Sequence, residues 1–241
     1  MCIILLAYNI HPNYPLILLA NRDEFYERKS APAQIWKDSP EIFAGRDLVG
    51  GGTWLGITTR GRIAAVTNYR EPGVPKGPVS RGDLVADFLR ADLPPNEYLA
   101  SVSNRNNDYS GFNLLVGEFS HSRQDLYYFS NRCNGIRKLE SGIYGLSNHL
   151  LDTPWPKVRK GTERFSQFVR LPELEKQALF DVLADESLAD DADLPDTGVG
   201  YEIEKALSAI FIRTPVYGTR CSTVVTFDDL FEGSLEERVF V

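Results

Sequence analysis

Met1-Cys2-Ile3-Ile4-Leu5-Leu6-Ala7-Tyr8 opens the chain, and the reading of its second residue sets what the rest must supply. A methionine followed by a residue as small as cysteine is a good substrate for N-terminal methionine removal. Cys2 is then expected to carry a thiol and a free α-amino group on one residue. An amine with a reference pKa near ~8 takes up the thiol proton at neutral pH and later returns it to a leaving group. Nucleophile and base are held together by covalent geometry alone. Against this stands the ordinary fate of a free cysteine, which is a small buried apolar side chain opening a strand. The remaining residues have to decide between the two.

With 241 residues, 43% of them apolar, the chain is long enough to bury a sizeable core, and it fits one domain over residues 1–241 better than two small ones. A net charge of −7 argues against nucleic acid as a principal partner and against an anionic membrane surface. The acidity gathers in Asp181, Asp185, Glu186, Asp190, Asp191, Asp193 and Asp196, which read as a solvated helix end and loop. Cys2, Cys133 and Cys221 are odd in number, widely spaced and free of a C-x-x-C pair, which disfavours a disulfide framework and favours reducing cytosol. His11, His121 and His149 show no ligand spacing, so no metal site is expected. Residues 2–8 lack a basic flank and are interrupted by Asn9, His11 and Pro12, too short a run for a signal-peptide core or a membrane span. The expectation is a cytoplasmic protein without cofactor, metal or stable membrane insertion, its oligomeric state left open.

Strands are expected at residues 3–8, 16–20 and 41–44, followed by a hairpin over residues 50–57 and 63–69 whose turn, residues 58–62, contains Gly61. Gly50-Gly51-Gly52 precedes a strand rather than opening a helix, which favours close backbone approach to a neighbouring layer over a phosphate cradle. Ser80 and Asp83 suggest a helix cap ahead of Leu84, Val85, Phe88 and Leu89, and Pro95 suits the first turn of a second helix. Strands return at 112–119, 126–129 and 143–146, helices at 158–169, 173–183 and 202–211, and strands at 220–227 and 237–240. Residues 190–200 read as a polar loop and the best candidate for disorder. Strands that return after helices indicate sheets covered by helices, an α+β layered plan.

Four polar clusters each border an apolar strand: Asn21-Arg22-Asp23-Glu24, Thr67-Asn68-Tyr69-Arg70, Gly145-Leu146-Ser147-Asn148-His149, and Gly218-Thr219-Arg220-Cys221-Ser222-Thr223. On an extended backbone Arg22 and Glu24 face one way, Asn21 and Asp23 the other, so one face serves a site while the other pairs structurally. Alone, each cluster is an ordinary turn, cap or surface group. Together with Cys2 they supply a thiol nucleophile, arginines that favour the thiolate, and amides able to donate to an oxyanion. Cys133, in a turn between strands, and Cys221, at a strand start, read as bystanders, and nothing marks His149 as a general base.

The Asn21–Glu24 tetrad, with Gly50-Gly51-Gly52-Thr53-Trp54-Leu55-Gly56, residues 67–71, residues 145–157 (GLSNHLLDTPWPK) and residues 217–223 (YGTRCST), resembles the NRDE family, proteins of the transport-and-Golgi-organisation type. That family in turn resembles the cysteine N-terminal nucleophile hydrolases of the choloylglycine hydrolase and penicillin V acylase group. The resemblance implies a four-layer αββα sandwich of two packed antiparallel sheets. Carried over residue by residue, it implies Cys2 as nucleophile and base, Arg22 and Arg220 as thiolate stabilisers, Asn68 and Asn148 as oxyanion or substrate donors, and Asp23 as the group orienting the amine. The acylases space their early arginine and aspartate a few residues apart, whereas Arg22 and Asp23 are adjacent; either Asp23 or Glu24 therefore answers to the amine-holding carboxylate. The implied activity is hydrolysis or acyl transfer at a carbon–nitrogen amide bond, on a small-molecule substrate in a cleft near Cys2. The alternative is a carrier on the same fold, holding haem or an acyl lipid, since eukaryotic relatives are linked to haem trafficking and lipid metabolism. Retention of Met1 favours the carrier, because a blocked amine is no base.

Overall fold

The computed structural model describes residues 3–241; Met1 and Cys2 lie outside the described residues, and with them every expectation placed on Cys2. The chain runs β1 (Ile3–His11), β2 (Tyr14–Phe25), β3 (Ser30–Trp36), β4 (Ser39–Asp47), β5 (Leu55–Thr58), β6 (Arg62–Asn68), α1 (Arg81–Arg90), α2 (Pro95–Ser103), β7 (Phe112–Ser120), β8 (Arg123–Ser130), β9 (Arg137–Lys138) and β10 (Gly142–Leu146). It ends with α3 (Pro156–Phe168), α4 (Lys176–Leu183), α5 (Tyr201–Ala206), β11 (Tyr217–Phe227) and β12 (Gly233–Val239). Two antiparallel sheets form, one ordered β10-β1-β2-β11-β12, the other β3 to β9 in sequence.

Strand alternation sorts the side chains into layers. Ile4, Leu6, Leu16, Leu18 and Ala20 of the first sheet meet Leu55, Ile57, Ile63, Ala65 and Leu115 of the second in a core between the sheets. Their neighbours Ile3, Leu5, Ile17 and Leu19 turn outward onto Phe165, Leu179 and Leu183 of α3 and α4. On the far side Ala64, Val66, Leu114 and Val116 pack against Leu84, Phe88 and Leu99 of α1 and α2. Helix, sheet, sheet, helix is the expected αββα sandwich. Gly52 approaches α1 so closely that a Cβ there would stand 2.4 Å from the Gly82 carbonyl carbon, as the close-approach reading of the triple glycine expects.

Register brings one end of the first sheet to a focus. Ile3 pairs with Asn21, Ile4 with Leu146, and Arg22 with Cys221. The end of β10, the start of β1, the polar half of β2 and the beginning of β11 therefore share one edge of the sandwich.

Several elements depart from expectation, the two-residue β9 having no counterpart among the expected strands. β3 has no counterpart in the sequence reading, because it is a sheet edge carrying Pro32 and irregular register, where alternation is weakest. The helix expected over residues 202–211 stops at Ala206, as Ala209, Ile210, Phe211 and Ile212 are drawn into the buried core. Residues 190–200, expected as a polar loop, contain a 3₁₀ turn at Asp191–Asp193. Two of their four carboxylates are ion-paired: Asp193 with Arg159 at 3.1 Å, and Asp191 with Lys205.

Candidate functional site

The tetrad on β2 divides as alternation requires. Asn21, fully buried, faces the helical layer and donates through Nδ2 to the Leu183 and Ile210 carbonyls at 2.9 and 2.8 Å. Its Oδ1 accepts the Ser222 hydroxyl at 2.6 Å. Asp23 looks the same way and accepts the Thr219 hydroxyl at 2.6 Å. Arg22 points between the sheets, 4% exposed, donating to Ser30 Oγ at 3.2 Å and Asp47 Oδ2 at 3.3 Å with its guanidinium 4.2 Å from the Trp54 ring centre. Glu24 stays near the rim, its Oε2 3.9 Å from Arg28 Nε.

Asp47 organises the floor beneath Arg22. Its Oδ2 also accepts Arg28 Nε at 2.7 Å, and its Oδ1 accepts the Val49 and Gly50 amides at 2.9 and 2.8 Å. Burial opposes its ionisation, but the bonds from Arg28 and the two amides outweigh that and hold the carboxyl below its usual value. Burial likewise lowers the Arg22 pKa, while Cys221 and Asp47 oppose the loss; a guanidinium keeps its charge in proteins. Trp54 lies under the Arg22 guanidinium and close against Gly45: a Cβ at position 45 would lie 2.4 Å from the indole.

Arg220 sits at a bulge in β11, between Thr219, which pairs with Asp23, and Cys221, which pairs with Arg22. A bulge re-aims a side chain, and here it carries Arg220 toward the β2–β3 turn. Arg220 donates to the Phe25 and Arg28 carbonyls at 3.0 and 2.8 Å and to the Val241 carbonyl at 3.1 Å. Cys221 is buried in the inter-sheet core, as a packing residue should be. Burial and the nearby Glu237 push its thiol well up, against the pull of Arg22. Arg220, Cys221, Trp54, Glu237 and Val241 border a cavity of about 30 Å³, space for a water rather than a ligand.

Across the sheet, Asn148 follows β10. Its Nδ2 donates to the Asn68 main-chain oxygen at 3.0 Å, and its own carbonyl accepts the Arg70 amide at 2.7 Å. Asn68 thus meets Asn148 through its main chain. Side chains of the second sheet reach this loop: Thr67 donates to the Ser147 carbonyl at 2.8 Å, Asn113 donates to the His149 carbonyl at 2.9 Å, and the Tyr128 hydroxyl oxygen accepts the Leu151 amide at 3.2 Å. His149 closes a chain of its own. Thr153 Oγ1 donates to the Leu150 carbonyl, so at 2.8 Å it accepts from His149 Nδ1; His149 Nε2 then accepts from the Tyr69 hydroxyl at 2.7 Å. Burial lowers the His149 pKa, which agrees with a neutral ring occupied at both nitrogens. Asp152 completes the loop in the left-handed region, at φ 59°, with its carboxylate on the Gly145 amide at 2.9 Å.

Arg22 and Arg220 therefore stand on neighbouring strands, and Asn148 with Asn68 stands beyond β1 on the same edge, while Cys2 precedes Ile3 outside the described residues. Sequence reasoning passed over Asp47, Asn113 and Tyr128. Asn113 alone left a signal, an amide one residue into the apolar run of β7.

The sequence profile of the family described as Transport and Golgi organisation 2 matches residues 1–241. The bovine Transport and Golgi organization protein 2 homolog is 41% identical over 247 residues, covering 95% of this chain and 89% of the bovine protein. The human homolog is 40% identical over 245 residues with the same coverages, and the Drosophila melanogaster protein is 32% identical over 188 residues, 70% of this chain and 65% of its own. Among solved structures, the Caenorhabditis elegans N-acylethanolamine-hydrolyzing acid amidase ortholog superposes with a TM-score of 0.54 at 12% identity, covering 92% of each chain, a likeness of fold to an N-terminal nucleophile hydrolase. Match over the whole length and close relatives bearing one name lead to one conclusion: the chain belongs to the Transport and Golgi organisation 2 family.

Proposed function

We propose that this chain is an N-terminal nucleophile hydrolase or acyltransferase that cleaves a carbon–nitrogen amide bond through Cys2 once Met1 is removed. The observation that carries the reading is the shared sheet edge: β1 begins at Ile3 beside Asn21, with Arg22 next on β2, Arg220 on β11 and Asn148 after β10. In this scheme the α-amine takes the thiol proton and Sγ bonds to the carbonyl carbon. Arg22 and Arg220 favour the thiolate, and Asn148, its plane set by the Asn68 carbonyl, donates its other N–H to the oxyanion. The C–N bond then breaks as the amine leaves with the proton, and water or a second amine attacks the thioester to regenerate the thiol. Asp23 or Glu24 orients the α-amine; Glu24 shares the strand face of Arg22, whereas Asp23 shares that of Asn21. The substrate is a small molecule and the site of action is the cytosol.

One observation favours a carrier instead: both guanidiniums are already engaged, Arg22 by Asp47 and Arg220 by three carbonyls. A screen of N-acyl amino acids and other amide conjugates separates the two, with Met1 removal verified by intact mass. We expect turnover in the wild type, severe loss in Cys2→Ser and none when Met1 is retained. Turnover that survives Cys2→Ala rejects the nucleophile; absence of turnover with unchanged ligand affinity in every variant favours the carrier.

A further inference from the structure

We infer that Asn113 is a positioning residue for Asn148, an inference that rests on the nucleophile reading above. Asn113 lies on β7, fully buried, opposite Thr67 on β6 and Ser130 on β8. A buried amide is costly unless its donors and acceptor are met, and its hydrogen bonds here lead to the loop after β10. Nδ2 donates to Thr67 Oγ1 at 3.0 Å and to the His149 carbonyl at 2.9 Å; Oδ1 accepts the Tyr128 hydroxyl at 2.8 Å. Each partner extends the hold. Thr67 donates its own hydroxyl hydrogen bond to the Ser147 carbonyl, and the Tyr128 oxygen accepts the Leu151 amide at 3.2 Å.

The carbonyls on both sides of Asn148 are thus tied, directly or through Thr67, to one amide of the other sheet. Asn148 itself adds the Arg70 amide on its carbonyl and the Asn68 oxygen on its Nδ2. With three consecutive carbonyls held, the Asn148 side chain has little freedom to turn its second N–H away from an oxyanion. Asn113 touches no reacting atom; it sets the direction of the group that does. Preorganised donors give up their stabilisation over small displacements, which is why the supporting residue matters.

Acylation and alkylation of Cys2 distinguish this role from general packing. Attack on p-nitrophenyl acetate passes through a tetrahedral oxyanion, whereas attack on iodoacetamide displaces iodide at a saturated carbon and needs no oxyanion donor. Both rates are read at the Cys2 peptide by mass spectrometry, in protein whose Met1 is removed. We expect Asn113→Ala to slow acylation about ten-fold, less than the roughly 10²–10³-fold lost when an oxyanion donor is itself removed, with alkylation essentially unchanged. Tyr128→Phe, a milder change, should shift acylation alone and in the same direction. The Arg70 amide, bonded to Asn148, should exchange its hydrogen faster in both variants. Equal acylation in wild type and variants overturns the positioning role and leaves the nucleophile intact, as does a parallel fall in both rates, which marks a packing effect. A wild type that is alkylated at Cys2 but never acylated overturns the nucleophile reading and this inference with it. Should Asn113→Ala fail to fold, Tyr128→Phe decides alone.

Discussion

Asn21 and Asp23 tie β2 to the helical layer, while Arg22 between them faces the opposite way. The motif that marks the family is thus half anchor and half candidate chemistry. Asn21→Ala would leave the Leu183 and Ile210 carbonyls and the Ser222 hydroxyl without their partner in a dry environment; we expect a loss of about 3 kcal/mol, from unpaired buried groups at roughly 1–3 kcal/mol each, measured by urea unfolding. Asp47 makes a pH-dependent contribution. Its carboxyl lies below its unfolded value near ~3.9, so its stabilisation is present above that pH and is lost as the pH falls through the folded value. The gap in unfolding midpoint between wild type and Asp47→Asn should therefore be wide at neutral pH and close below about pH 4. A gap that does not change with pH would mean that hydrogen-bond geometry rather than charge supports Arg22.

At the scale of elements, the β4–β5 connection exists to place Trp54 under Arg22. Gly45 leaves room for the indole, Gly52 lets the loop touch α1, and the Asp47 carboxylate ties down the Val49 and Gly50 amides between them. Gly45→Ala puts a methyl 2.4 Å from the indole carbons, so Trp54 must tilt and Arg22 loses its stacking surface. Overpacking of this kind costs about 1–3 kcal/mol. We expect a lower unfolding midpoint and altered tryptophan fluorescence; an unchanged spectrum would show that the backbone, not Trp54, gives way.

Across the whole molecule, three apolar layers carry the fold, and charge latches the long connection between α4 and α5 onto it. Arg164 and Lys160 hold Asp185 at 2.6 and 2.8 Å, Arg213 holds Glu186 at 2.8 Å, and Glu204 joins Arg70 to the Thr197 amide. Arg213–Glu186 and Arg159–Asp193 are exposed, and such pairs contribute little singly and are screened by salt, the Debye length shrinking to about 3 Å at 1 M. The more buried Asp185 and Glu204 pairs are screened less. Amide exchange between residues 186 and 200 should therefore quicken from low salt to 1 M while β11 keeps its protection. Equal protection at both salt concentrations would assign the latch to packing.

Alternating apolar runs, glycines and caps are local properties, so the sequence by itself determined most strands, the helix starts at Ser80 and Pro95, and the layered class. It also determined, through the faces of β2, which of Asn21, Arg22, Asp23 and Glu24 look the same way, because side-chain direction in a strand has a period of two. Only tertiary structure decided what those faces meet. Asp47 and Trp54 under Arg22, the carbonyls around Arg220, and Asn113 beneath the loop of Asn148 come from strands distant in sequence or from the other sheet. The edge strand β3 and the ion-paired path of residues 190–200 were likewise hidden. Their order arises from partners elsewhere in the chain, and no local pattern encodes a partner.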